Sequence, residues 1–253
     1  MAFNITWPIT SLRDVVFPFG VTILNAKGLN LTTLEGIPDT IIEANLSNNK
    51  IVTLEGAPEG LIKLDVSYNC LTNLNYCPKS IEYLRCSRNR IRSLSALKDT
   101  NLKSLGCSYN HLKTLQGCPP TLCSCVAVSC LLTSIGFSNY LDKLYVSYNN
   151  LTTLASVPMA YDLDVSCNLL ISLKGCKDGV RELTASNNQL ESLLGIPNSV
   201  LILRVSSNYL QSIDDCQSSV KVLECTKNIM LKKLPDINKR PDELISDFGI
   251  WIR

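Results

Sequence analysis

Cysteines give this sequence its most visible capacity for chemistry. The chain contains twelve, and four of them, Cys118, Cys123, Cys125 and Cys130, lie close to the only histidine, His111. Thiolate and imidazole are zinc ligands, so the cluster could hold a metal ion. Its spacing, C-x4-C-x-C-x4-C, differs from the paired C-x2-C of structural zinc sites. The alternative, which we favour, is that buried free thiols act here as small apolar core groups.

Other catalytic patterns are weaker. No serine or cysteine stands in a nucleophile motif beside His111, and neither GxGxxG nor GxxxxGK[ST] occurs. Asp162 and Asp164 are two residues apart on one predicted strand face, where a solvated pair is more common than an acid–base dyad. The sequence therefore predicts a non-enzymatic protein with no catalytic residue, no cofactor and no metal site.

A repeat of about 20 residues must position these side chains. With Ile41 as position 1, residues 41–60 place apolar side chains at positions 1, 4, 6, 11, 14 and 17 and an asparagine at position 9. The same pattern begins at ten other residues: Val21, Leu61, Ile81, Leu102, Leu122, Leu141, Ala160, Val180, Val200 and Val220. A register kept over eleven repeats does not arise by chance.

The repeat predicts an all-β solenoid. Positions 3–6 alternate polar and apolar residues, which is typical of a short strand with one buried face. Strands one repeat apart run the same way and predict a parallel sheet, while Gly and Pro favour short extended or 3₁₀ return legs. The predicted domains are an N-terminal capping coil at 1–20, eleven repeats at 21–234 and a C-terminal cap or tail at 235–253. Within that tail, Pro241–Ile245 could begin a short helix.

The asparagines at position 9 predict a structural ladder, because a buried amide is costly unless its donors and acceptor are matched. Leu29 and Cys130 interrupt the series. Its predicted members are Asn49, Asn69, Asn89, Asn110, Asn149, Asn168, Asn188, Asn208 and Asn228.

The segment Leu61-x-x-Leu64-x-Val66-Ser67-Tyr68-Asn69-x-Leu71 resembles a leucine-rich repeat. The short repeat with Gly and Pro in the return leg is similar to the subtype of bacterial effector proteins and of proteins from large DNA viruses. The resemblance implies a curved solenoid that binds macromolecules through a concave face formed by the parallel strands. Some effectors of this subtype carry an additional ubiquitin-ligase domain, which we do not expect in the few residues after the last repeat.

Outward positions 3, 5, 7 and 8 contain the candidate partner-binding residues. Valines replace polar residues in the repeat that begins at Leu122, and tyrosine and arginine surround them, which is the composition of an interface hot spot. The alternative, a drifted repeat among ordinary surface residues, has about equal weight. The predicted site comprises Tyr83, Arg85, Arg88, Tyr109, Val126, Val128, Tyr145 and Tyr148.

The net charge and the absence of a recognisable secretory signal indicate which class of partner and which cellular compartment to expect. The net charge of +2 and nearby acidic residues favour a protein partner of unknown identity over nucleic acid, and no apolar run reaches the ~20 residues of a membrane span. No secretory signal is evident, and the core positions of the cysteines favour an intracellular, reducing compartment: the cytoplasm, a host cell or a virion. An alternative function is that of a structural part of a capsid, coat or scaffold, assembled through capped ends or flanks.

Overall fold

The computed structural model describes residues 1–7, 9–232, 234 and 241–252. The chain forms two compact units, unit 1 from Met1 to Cys130 and unit 2 from Leu131 onward. Each is a β-solenoid in which one coil of about 20 residues contributes one short strand. The prediction of an all-β solenoid with a parallel sheet is confirmed. In the described residues the only helix is a 3₁₀ turn, Ser95–Leu97.

Unit 1 contains seven parallel strands in chain order, each hydrogen-bonded to the next. Each has a buried or half-buried central residue and outward residues at positions 3 and 5. The strands are β1 (Ala2–Asn4), β2 (Ile23–Asn25), β3 (Glu43–Asn45), β4 (Lys63–Asp65), β5 (Tyr83–Arg85), β6 (Ser104–Gly106) and β7 (Ser124–Val126).

The described residues of unit 2 also form seven strands, of which the first six are parallel. They are β8 (Leu141–Tyr145), β9 (Ala160–Asp164), β10 (Glu182–Thr184), β11 (Ile202–Arg204), β12 (Val222–Glu224), β13 (Glu243–Ser246) and β14 (Gly249–Ile252). No helix in the described residues is long and apolar enough to cross a membrane.

The end of the chain corrects one prediction. The helix expected to begin at Pro241 does not form: Glu243–Ser246 is a strand paired in parallel with β12, and it turns back into β14 as an antiparallel hairpin. Leu244 is completely buried, so it fills the strand-centre position and continues the core by one more coil. Gly249, with φ 116°, permits the tight return. Of the predicted segment 235–253, residues 235–240 and 253 lie outside the described residues.

Buried asparagine amides join successive coils. The Oδ1 atom of Asn89 accepts from the backbone N–H of Leu71 at 2.9 Å, and its Nδ2 donates to the carbonyls of Val66 and Cys86 at 2.9 and 3.0 Å. All nine position-9 asparagines are buried and accept from a backbone N–H of the preceding coil. At Cys130 the thiol donates to the Cys107 carbonyl at 3.2 Å and replaces only one amide N–H.

The turn after each strand has an unusual backbone that the sequence pattern did not predict. Position 8 is left-handed in successive coils, with φ between 52° and 57° at Asn48, Tyr68, Arg88, Tyr109, Ser129, Tyr148, Cys167, Asn187, Ser207 and Lys227. Glycine and asparagine adopt this conformation with least cost, whereas other residues lose about 1–2 kcal/mol. Bulky side chains at this position are therefore retained against a conformational penalty.

The cysteines form no cross-links, and six of them are buried in the core. All twelve lie in the described residues and are free thiols. Burial raises the pKa of Cys86 well above its ordinary value of 9.0, and hydrogen bonding to Cys125 and Cys130, together with burial, does the same for Cys107. Cys123 is exposed, whereas Cys118, Cys125 and Cys130 are buried. No three His, Cys, Asp or Glu side chains in the described part of the chain are arranged to hold a metal ion.

Candidate functional site

The strand face of unit 1, the side that displays positions 3 and 5, brings several predicted binding residues into register. In one row, Arg85 on β5 is opposite Gly106 on β6, and Gly106 is opposite Val126 on β7. In the parallel row, Tyr83 is followed by Ser104 and Ser124. Arg85 and Tyr83 are thus separated from Val126 by strand β6, whose outward residues are only a serine and a glycine.

Gly106 creates this gap, which we call the notch (Ser104, Gly106 and Ser124). A Cβ atom on Gly106 would lie 3.7 Å from Cγ of Arg85 and 4.0 Å from Oγ of Ser87, which are ordinary contacts. Its backbone is not in the left-handed region, unlike that of Gly117 in the return leg (φ 100°). The fold therefore does not require glycine at position 106, and a larger residue would fit. Our sequence reasoning did not identify the notch, although an outward glycine flanked by serines was a visible signal.

A second row of residues lies at the turns beside the strands. The guanidinium carbon of Arg88 is 4.1 Å from the ring centre of Tyr109 and 5.2 Å from that of Tyr68, so Arg88 stacks between two tyrosines from neighbouring coils. Cation–π contacts of this kind contribute roughly 0.5–1 kcal/mol each at exposed sites. Tyr68 and Tyr109 remain about half exposed, at 52% and 46%. Tyr68 was not among the predicted site residues.

The predicted apolar spot is less exposed than expected. Val126 and Val128 are both half-buried. The backbone N–H of Val128 donates to Oγ of Ser108 at 3.1 Å, which fixes the turn beside the notch. The valines thus form a shallow apolar edge rather than a projecting patch.

A cavity of about 490 Å³ lies on the same strand face toward β2. Tyr83 and Arg85 form one wall, and its polar lining includes Glu43 and Lys63, which the sequence reasoning did not select. Nζ of Lys63 is 2.8 Å from Oε1 of Glu43 and 5.7 Å from the Tyr83 ring centre. The hydrogen bond with Glu43 raises the pKa of Lys63. Ser104 belongs to the notch and also lines the cavity, and Tyr83 and Arg85 border both features.

Two predicted site residues belong to unit 2. The hydroxyl of Tyr145 donates to Oδ2 of Asp162, and this bond, with burial and the charge of Asp162, raises the pKa of Tyr145 to about 12. Asp164 accepts from the backbone N–H of Ser166 at 2.9 Å, so the two carboxylates do not act as a pair. Tyr148 is exposed, at 63%. A binding role for Tyr145 and Tyr148 stays a prediction.

Comparisons with solved structures identify the architecture. YopM from Yersinia enterocolitica superposes with a TM-score of 0.58 at 25% sequence identity, over 92% of this chain and 65% of YopM. An internalin, InlF, from Listeria monocytogenes superposes with a TM-score of 0.62 at 16% identity, over 90% of this chain and 87% of the internalin. The fold is that of leucine-rich repeat proteins. No family model matches the sequence, and no curated protein is significantly similar to it.

A third leucine-rich repeat structure concerns assembly with another protein. The LRIM1/APL1C complex superposes with a TM-score of 0.60 at 21% identity, over 88% of this chain and 51% of the compared chain. The present chain spans about two thirds of YopM, at 65% of its length, and about half of the compared chain from the complex, at 51%.

Proposed function

We propose that this leucine-rich repeat chain is a non-enzymatic recognition module that binds a protein partner through the strand face of unit 1. The observation that carries the proposal is the notch at Gly106, bordered by Arg85 on one side and Val126 on the other. A recess between an arginine and an apolar edge accepts one partner side chain and desolvates it, which is how interface hot spots form. Tyr83 and Tyr109 add large, half-exposed rings beside it.

The side chains at the neighbouring turns support this location. Arg88 and Tyr109 occupy left-handed positions where asparagine or glycine would be less strained. The same strain recurs in other coils, for example at Cys167, so the large arginine and tyrosine side chains, and not the strain itself, distinguish these turns. The LRIM1/APL1C complex, a structural neighbour, supports protein rather than small-molecule recognition.

Filling the notch tests the proposal. Gly106→Leu is expected to weaken partner binding at least tenfold, because the new side chain occupies the recess, while the thermal midpoint changes little. The partner is first captured from the native host with the wild-type chain and identified by mass spectrometry. Its dissociation constant is then measured by calorimetry for the wild type and for each variant.

Thr184→Leu is the matched control, since Thr184 occupies the same outward position 5 on β10 of unit 2. It adds the same side chain to a strand face but leaves the notch open, so binding should be unchanged. Equal affinity of Gly106→Leu and wild type, with a loss in Thr184→Leu, would contradict the proposed site.

The thiols support a reducing compartment for this function. Twelve free cysteines, several of them on neighbouring coils in the core, would be exposed to mispairing during folding in an oxidising environment. We therefore propose that the protein acts inside a cell or a virion, where thiols stay reduced.

Self-assembly is a second candidate function, favoured by the strand β14. It pairs with β13 on one side, and the exposed fractions of Ile250 and Ile252 are 69% and 71%. An apolar edge strand can add a strand from another chain. In that case Ile250→Lys should convert an associating protein into a monomer in sedimentation experiments, whereas Ile171→Lys, at a comparably exposed isoleucine (66%) away from the edge, should not. A monomer at high concentration for the wild type would count against self-assembly.

A further inference from the structure

One flank of unit 1 carries a group of basic residues that the notch does not use. Arg88, Arg90 and Arg92 occupy positions 8, 10 and 12 of one coil, and all three are exposed. Lys50 and Lys113 are exposed at positions 10 and 12 of nearby coils. We call these five residues the basic flank.

Backbone hydrogen bonds keep this flank in register. The N–H of Arg90 donates to the carbonyl of Leu71 at 2.8 Å, and the N–H of His111 donates to that of Ile91 at 2.9 Å. The corresponding bond from Cys70 to Ile51 is 2.9 Å long. The backbones of successive coils are therefore spaced about 4.8 Å apart, and their outward side chains lie in register along the flank.

The charges on the flank differ from those on the strand face. On the strand side, Glu43 pairs with Lys63 at 2.8 Å and Glu82 pairs with Lys103 at 2.9 Å. On the flank, positions 8, 10 and 12 of the coils from Val21 to Leu102 contain no aspartate or glutamate. Among the ion pairs of the described residues, none involves Arg88, Arg90 or Arg92. These three arginines therefore carry positive charge that no ion pair of the described residues neutralises.

The tyrosine stack orients one of these arginines. Arg88 lies between Tyr68 and Tyr109, and no ion pair of the described residues involves it, so its N–H groups can bind another group. A guanidinium edge binds a carboxylate through two parallel hydrogen bonds. All three stacked residues have left-handed backbones, with φ between 55° and 57°, so the stack exists at a conformational cost in three consecutive coils.

We propose that the basic flank binds an acidic segment of the protein partner, a short run of aspartate and glutamate residues. The inference rests on the proposed function and adds the chemistry of the partner. Carboxylates match the guanidinium edges, and a short peptide can contact the flank without crossing the strand face. A longer polyanion such as RNA would meet Glu43 and Asp65 on that face, and Arg88 already stacks against Tyr68 and Tyr109, which reduces the ring surface on which bases could stack.

The test uses the full chain and three probes of equal length: a fluorescent ten-residue peptide of Asp and Glu, its Asn and Gln counterpart, and a ten-nucleotide single-stranded RNA. Fluorescence anisotropy should show binding of the acidic peptide only, with a roughly tenfold loss of affinity between low and physiological salt. Arg90→Gln combined with Arg92→Gln should reduce that affinity at least tenfold. Lys221→Gln, an exposed lysine in unit 2, should leave it unchanged.

The outcomes separate this inference from the proposed function. Gly106→Leu should retain the acidic peptide, because the notch is not part of the flank. Peptide binding that survives in the double arginine variant, or RNA that binds more tightly than the peptide, would overturn the inference. If the double variant keeps full affinity for the captured partner while Gly106→Leu loses it, the inference fails and the proposed function stands.

Discussion

Raising the pH from 9 to 11 under reducing conditions should unfold the protein. Burial or hydrogen bonding raises the pKa of four buried thiols, Cys86, Cys107, Cys118 and Cys225, above the ordinary value of 9.0. The unfolded chain releases these protons near pH 9, whereas the folded chain keeps them. The stabilisation is therefore complete below pH 9 and is lost as the pH rises toward the folded values.

The expected effect is large because the thiols act together. One pKa unit corresponds to about 1.4 kcal/mol, so each of the four thiols lowers the unfolding free energy by at most about 1.4 kcal/mol for each pH unit above 9. The hydrogen bond with Cys107 lowers the pKa of Cys130, which offsets part of this sum. Half-buried Cys77 and Cys176, with their pKa raised to about 12, add to the loss. A typical domain is stable by only ~5–15 kcal/mol, so two pH units suffice.

Urea titrations at pH 8, 9 and 10 with excess reductant measure this dependence. Cys86→Val is the informative variant, because valine is the natural residue at position 6 in other coils, as at Val66 and Val146. The substitution removes one of the protons that the folded chain retains and the unfolded chain releases. The slope of the unfolding free energy against pH should therefore fall by about 1.4 kcal/mol per pH unit. A wild-type stability that stays constant from pH 8 to 10 would show that the buried thiols titrate normally.

Replacing a ladder asparagine should have the second large effect on the free energy of unfolding. Asn89→Ala should lower the free energy of unfolding by roughly 3–6 kcal/mol, because several buried backbone groups lose their partners at once. The N–H of Leu71 and the carbonyls of Val66 and Cys86 all bond to this one amide. Exposed Asn75 in the return leg provides a control, and Asn75→Ala should cost less than 1 kcal/mol.

Equilibrium denaturation measures the unfolding free energy of both asparagine variants. The opposite change, which adds an amide to the ladder, can be made at Cys130. Cys130→Asn introduces an amide where the thiol supplies a single donor to the Cys107 carbonyl. It should stabilise the protein by about 1 kcal/mol, the net worth of a completed hydrogen bond. Destabilisation by Cys130→Asn, or a cost for Asn89→Ala as small as that of Asn75→Ala, would show that the amides do not join the coils.

Much of the fold was accessible from sequence because one rule is repeated in every coil. Leu64, Leu84 and Leu105 recur at the same position, and each is buried at a strand centre as the period requires. The rule fails where the repeat stops. At Pro241 the local helix signals were outweighed by the gain from burying Leu244 beside β12, which a window of sequence does not contain.

The candidate site was less predictable than the fold. Outward residues are not constrained by the core, so only their composition could be used, and it selected Tyr83, Arg85 and Val126. The notch was missed because a glycine adds no side chain to a composition, and the space that it leaves between its neighbours is visible only in the structure. The contact between Arg88 and Tyr68 depends on the left-handed turn, whose backbone angles have no simple sequence signature when the residue is tyrosine or arginine.

The left-handed turn also affects how the surface can change over evolutionary time. Since every coil imposes the same bend at position 8, the residue there can be exchanged without altering the path of the chain, as Ser129 and Lys227 illustrate. A mutation to asparagine or glycine at that place gains stability, while one to a bulky residue gives some up. Lineages under no pressure to keep a ligand should drift toward Asn or Gly at residues 68, 88 and 109, so the residues found there in relatives would record whether binding was still under selection.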